Sequence, residues 1–119
     1  HTIAYAIRGF LESGVLLDEE RYLQAAVTAA RAMADVQRQD GWLAGTYRDD
    51  WIADAGYCCL TGLAQMSLNW TRVAQFTGEE NFRVRARAGL DYLKTPQKLT
   101  ASDPTVRGGI SGSSPIWGG

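Results

Sequence analysis

The chain is poor in several residues that usually announce a function. It has one histidine, His1, and two cysteines, Cys58 and Cys59, which are neighbours. A structural zinc centre needs several Cys or His ligands at converging spacings, and these three residues do not supply them. Adjacent cysteines rarely reach disulfide geometry, so both read as thiols on a buried helix. The compartment stays open on that evidence, with a reduced cytoplasm as the leaning. Net charge is close to zero, with 12 basic against 13 acidic residues. Nucleic-acid binders carry a basic face. The densest basic stretch here, Arg83, Arg85 and Arg87, alternates around a helix axis in the manner of a solvated outer helix. No apolar run approaches the roughly 20 residues that cross a bilayer. No glycine-rich phosphate loop with its lysine is present. The composition thus implies no cofactor, no nucleic acid and no membrane span.

What remains is an ordinary globular composition with helical periodicity. The segment from Thr2 to Glu12 is apolar on most faces, with Ile3, Ala4, Ile7, Phe10 and Leu11 at helical spacing, and Ser13-Gly14 offers a C-cap. Asp18 is the expected N-cap of a second, amphipathic helix whose stripe is Tyr22, Ala26, Ala29, Met33 and Val36, ending at Asp40-Gly41. A third helix is expected to start between Asp50 and Gly56 and to run to about Phe76. Leu60, Leu63, Ala64, Leu68 and Trp70 make it greasy again. Thr77-Gly-Glu-Glu80 reads as a capping box, with Thr77 the N-cap of a fourth helix that buries Phe82, Ala86, Leu90 and Leu93 and stops at Pro96.

Displaced by 60 residues, the two halves register. Glu19 and Glu20 fall on Glu79 and Glu80, Tyr22 on Phe82, Ala26 on Ala86, Met33 on Leu93 and Gln37 on Gln97. Ile3 meets Leu63, Ala4 meets Ala64 and Phe10 meets Trp70. After an insertion of about seven residues, the run 40–46 parallels 107–113. The expected organisation is an all-α chain of tandem helical hairpins, about 1–57 and 58–119. Such repeats bury their faces only against neighbours, so cover is expected from further repeats or from self-association. The chain opens on His1 instead of Met and closes on Ser-Ser-Pro-Ile-Trp-Gly-Gly, which reads as mid-loop, so a fragment of a larger protein is expected.

With greasy and amphipathic helices alternating, the chain resembles the α/α-toroid superfamily of six-hairpin glycosidases, sugar epimerases, and terpenoid cyclase and prenyltransferase barrels. Met33-Ala-Asp-Val-Gln37-Arg-Gln-Asp-Gly41-Trp42 is similar to the Gln…Gly-x-Trp element of cyclase-type repeats, with the spacing before Trp42 off by a residue. Leu93-x-x-x-Gln97 echoes its first half. The opening His-Thr-Ile-Ala-Tyr and the stretch Cys59-Leu-Thr-Gly-Leu-Ala-Gln65 are similar to toroid proteins encoded with bacterial polysaccharide-synthesis machinery. The resemblance implies an (α/α) toroid of which this chain is part. Its inner helices would wall a cavity, and its long outer-to-inner loops would gather at one mouth.

By that analogy the loop from Asp40 to Tyr57 lines a saccharide cleft. It holds Trp42, Tyr47, Arg48, Trp51 and Tyr57, whose aromatic faces suit sugar rings, and the carboxylates Asp49, Asp50 and Asp54. Paired carboxylates can serve as acid and base in glycosidic cleavage. Aspartates in loops also commonly serve turns and helix caps. Gln65 and Asn69 share a helical face with Trp70 as polar cavity contacts or as caps of nearby carbonyls. Trp117 stands in the second loop near the place of Trp51 in the first, and His1 is a further candidate for a cavity-lining acid/base. A rival reading puts Asp50 and Asp54 one turn apart on an early-starting helix, holding Mg²⁺ and a prenyl diphosphate. The spacing from Asp49-Asp50 to Asp54 is one residue longer than the Asp-Asp-x-x-Asp form. Three functions follow: a carbohydrate-active or polysaccharide-associated toroid segment acting as a hydrolase, lyase or epimerase, a non-catalytic helical-repeat scaffold, or a terpenoid cyclase or prenyltransferase relative.

Overall fold

The computed structural model describes residues 1–116. Among them are four helices, α1 (Thr2–Leu17), α2 (Glu20–Asp35), α3 (Leu60–Thr77) and α4 (Glu80–Lys94), and a two-stranded antiparallel pair, β1 (Cys58–Cys59) and β2 (Ser113–Ser114). The chain is all-α apart from that short pair. Helix α1 packs along α2, α3 along α4, and the two hairpins join chiefly through α1 and α3. Leu11, Leu60, Leu63, Met66, Trp70, Val73 and Phe82 form the centre of one continuous apolar core.

Several helix ends differ from their sequence expectations, and within each hairpin the reason is the same: the two helices abut with only two residues between them. Helix α1 runs through Ser13-Gly14 to Leu17. Gly14 is a packing residue, since a Cβ there would lie 2.8 Å from the Leu23 side chain of α2. Asp18 is the left-handed C-cap of α1 (φ 51°), and Glu19 caps α2 by accepting the Arg21 amide at 3.4 Å. In the second hairpin Thr77 ends α3, its hydroxyl donating to the Val73 carbonyl at 3.1 Å, while Gly78 (φ 72°) is the C-cap and Glu79 the N-cap of α4. The capping box is therefore absent. Helix α2 ends at Asp35 and not at Asp40-Gly41, and α3 begins at Leu60 and not between Asp50 and Gly56. Three stripe residues expected in the core are substantially exposed: Phe10 at 47%, Leu68 at 61% and Leu90 at 46%.

At the junction within each hairpin the corrected ends keep the 60-residue spacing. Asp18 and Gly78 are both left-handed C-caps, Glu19 and Glu79 both N-caps, and the outer helices begin at Glu20 and Glu80. The turns after α2 and α4 share a construction as well. Gln37 Nε2 donates to the Gly41 carbonyl four residues on at 3.1 Å, and Gln97 Nε2 to the Gly108 carbonyl eleven residues on at 3.0 Å. Both glycines have positive φ, 89° and 82°.

Polar contacts stitch the hairpins together. Asn69 Nδ2 donates to the Ala4 carbonyl and Trp70 Nε1 to the Ala30 carbonyl, each at 2.8 Å and fully buried. Arg72 pairs with Glu12 at 3.2 Å and Arg31 with Glu79 at 2.8 Å. Arg85 of α4 is half-buried and donates to the Gln37 carbonyl at 3.2 Å, so the arginine run is not wholly a solvated face.

Candidate functional site

The segment between α2 and α3 is a small, self-bonded hairpin. Asp40 opens it by accepting the Trp42 amide at 3.1 Å and the Arg38 guanidinium at 2.6 Å, and that guanidinium lies 5.1 Å from the Trp42 ring centroid. The arms are then held by Gly45 N–H to the Tyr57 carbonyl at 2.7 Å, Asp54 N–H to Thr46 at 3.0 Å, and a bridge between Tyr47 and Ala53. The tip is a tight turn in which Arg48 N–H donates to Ile52 at 3.0 Å and Trp51, at φ 63°, donates to Arg48 at 3.1 Å. A non-glycine residue in the left-handed region is uncommon. Here the Asp50 side chain supports it, accepting the Ile52 amide at 3.1 Å and the Arg48 guanidinium at 2.8 Å.

The sequence-derived site residues separate into two groups in this hairpin. Arg48, Asp49, Asp50 and Asp54 are exposed at its tip and outer arm, whereas Trp42, Tyr47 and Trp51 are half-buried and pack on the core. Trp51 lines a groove with Ile3, Phe10 and Ala29 of the α1–α2 pair. Tyr47 accepts the Ala44 amide on its hydroxyl at 2.9 Å, and burial pushes its pKa up. The Arg48 guanidinium beside Asp50, with the Ile52 amide, holds its carboxyl below the usual range. Asp50 is thus an ionised carboxylate at neutral pH, not a proton donor. Asp50 and Asp54 lie in this loop and not one turn apart on a helix, so the magnesium–diphosphate arrangement that needed an early α3 is not formed. Among the described residues no three His, Cys, Asp or Glu side chains gather as a metal site.

A small cavity of about 30 Å³ lies where the N-terminal ends of α1 and α3 meet the segment Leu43–Tyr47. That is room for about one water molecule. Its lining includes His1, Tyr47, Cys59 and Met66. Cys59 is the N-cap of α3, its sulfur accepting the Gly62 amide at 3.3 Å, with His1 Nδ1 3.9 Å away. Cys58 points into the core, and burial raises its pKa. The His1–Cys59 approach was not visible as a motif, because 58 residues separate the two. The 60-residue repeat was the signal available: it aligns His1 with Thr61, at the start of the sister helix.

The second long loop reaches the same end of the molecule. Leu60 N–H donates to the Gly112 carbonyl at 2.9 Å, and Cys58 and Cys59 pair with Ser114 and Ser113. Asn69 bonds the Ala4 carbonyl and so caps a neighbouring helix from within the core. Gln65 is half-buried, and its Oε1 is buried with no hydrogen-bond partner among the described residues. Trp117 lies outside the described residues. No family model, curated protein or solved structure matches this chain.

Proposed function

We propose that this chain is a segment of an α/α-toroid whose mouth, at the N-terminal ends of α1 and α3, binds a saccharide or polysaccharide. The observation that carries the reading is the meeting of the two long loops at that end. The 45–57 hairpin and the 98–116 loop both reach the β1–α3 junction, the second through the Cys58–Ser114 and Cys59–Ser113 pairing. A cleft between such loops would present one charged hairpin tip and partly exposed aromatic edges, the mixture that sugar rings and hydroxyls engage.

Within this reading Trp42, Tyr47, Trp51, Tyr57 and Trp117 supply ring faces, and Arg48 and Gln65 supply hydrogen bonds. Asp50, kept ionised by Arg48, suits the base or charge-stabilising part, and Asp49 and Asp54 are the remaining carboxylates for the acid part. The test is a titration of neutral and acidic oligosaccharides against intrinsic tryptophan fluorescence, in parallel with calorimetry. Saturable fluorescence change with heat, weakened in Arg48→Ala and Asp49→Ala, is the expected outcome. Flat traces for every saccharide class would sink the proposal.

A further inference from the structure

The interface between the two hairpins implies a second interface of the same kind, between copies of the chain. The first hairpin offers a forward face to the second: the carbonyls of Ala4 and Ala30, with Glu12 and Arg31 at its margin. The second receives it with a back face that buries Asn69, Trp70 and Phe82, the last two at 0% and 1% exposure. Because the hairpins repeat at 60 residues, each face exists twice, and one copy of each is left open. The open back face belongs to the first hairpin. There Phe10 stands for Trp70 and Tyr22 for Phe82, their rings in edge contact at 5.8 Å beside a groove of about 510 Å³. Phe10 is 47% exposed even though Trp51 lines the adjoining groove along α1 and α2. The open forward face belongs to the second hairpin, where Leu90 stands for Ala30 and is 46% exposed.

Of the two ion pairs across the existing interface, the one beside the inner helices carries over to the open faces as a complementary pair. The buried-side ion pair across the existing interface, Glu12 with Arg72, joins residues 60 apart. Applying the same displacement once more sets Arg72 of one copy against Glu12 of the next, again an opposite-charge pair. The other pair, Arg31 with Glu79, becomes Asp91 against Glu19, two like charges each held by a cation of its own helix region, Lys94 at 2.7 Å and Arg21 at 3.1 Å.

We infer that the chain associates head to tail with further copies of itself, the α3–α4 face around Leu90 docking on the α1–α2 groove around Phe10. The contact is heterologous, so it propagates to a ring if its rotation closes and to a filament if it does not. It stands apart from the saccharide reading, and either can fail without the other.

The test is light scattering of the wild type and of two blocked variants, Phe10→Asp and Leu90→Asp, each confirmed as helical by circular dichroism. Wild-type mass should climb with concentration in multiples of the 13.0 kDa protomer. Each variant alone should be monomeric, and their equimolar mixture should form a 1:1 dimer and nothing larger, since one intact pair of faces remains. Should an aspartate disturb the helices, Phe10→Ser and Leu90→Ser carry the same test. A wild type that stays monomeric at every concentration overturns the inference. So does a mixture that fails to dimerise while the wild type associates, because that pattern marks a two-fold contact or another surface.

Discussion

The two hairpins are built to one plan and buried to different depths. They share the helix junction and its caps at a 60-residue spacing, and each closes its outer helix with a glutamine–glycine turn. Yet Trp70 and Phe82 are sealed in the core while their counterparts Phe10 and Tyr22 remain partly open. Local structure is therefore set hairpin by hairpin, from periodicity and caps, whereas burial is set by whether a neighbour is present. The first hairpin has its neighbour on one side only, and so has the second, on the opposite side.

Truncating the paired aromatics should separate these two contributions most widely. Trp70→Ala empties the largest fully buried side chain and removes the indole donor from the Ala30 carbonyl. Core Trp or Phe to Ala changes cost about 3–5 kcal/mol. Phe10→Ala, at the equivalent place but 47% exposed, should cost less than about 1 kcal/mol when measured on the monomer. Urea unfolding of both variants at dilute concentration gives the comparison. Equal losses would mean that the aromatic stabilises its own helix, not the junction between hairpins.

The matched turn glycines come next. Both Gly41 and Gly108 occupy the left-handed region, so alanine at either incurs roughly 1–2 kcal/mol of backbone strain. Only Gly41 is also pressed against another element: a Cβ there would run into the Ala88 carbonyl of α4, whereas nothing lies within 4 Å of one at Gly108. Gly41→Ala should therefore exceed Gly108→Ala by more than about 2 kcal/mol, because relieving the overlap means shifting the turn off α4. Thermal melts of the two variants decide it. Similar losses would mean that the first turn is no more tightly docked than the second.

The repeat, the helical class and the greasy-against-charged alternation were legible because each rests on local spacing. Helix ends were less so. Gly14 carries the usual stop signal, yet it sits mid-helix because α2 approaches too closely for a side chain. Thr77 and Glu80 match a capping box, but α3 continues through Thr77 and Gly78 takes the left-handed cap. In both cases a residue favoured by local chemistry for one role is taken by tertiary packing for another. At the candidate site, the aromatic and acidic content of the 40–57 loop was readable, but its division was not. The Arg48–Asp50 pairing and the tucking of Trp51 onto α1 and α2 depend on a hairpin that has no two-residue turn signature. The approach of His1 to Cys59 depends on helices far apart in the chain, so only the internal repeat pointed towards it.

The smallest expected effect is also the cleanest comparison. Asp18 and Gly78 do the same work at the ends of α1 and α3, each donating its amide one turn back, to Gly14 and Ala74. An L-residue in the left-handed region is strained, though aspartate less than most, and glycine offsets that relief with its greater freedom in the unfolded chain. The carboxylate of Asp18 is unfavourable at the end of α1 and favourable just before α2, so its interactions with the two helix dipoles oppose each other. What survives is the strain. Asp18→Gly should raise stability by about 0.5 kcal/mol, and the reciprocal Gly78→Asp should lower it by about as much. On a domain of this size that is a change of about 2–3 °C in Tm, in opposite directions for the two variants. If both substitutions destabilise, the two caps are not interchangeable, and the equivalence of the hairpins stops at their backbone geometry.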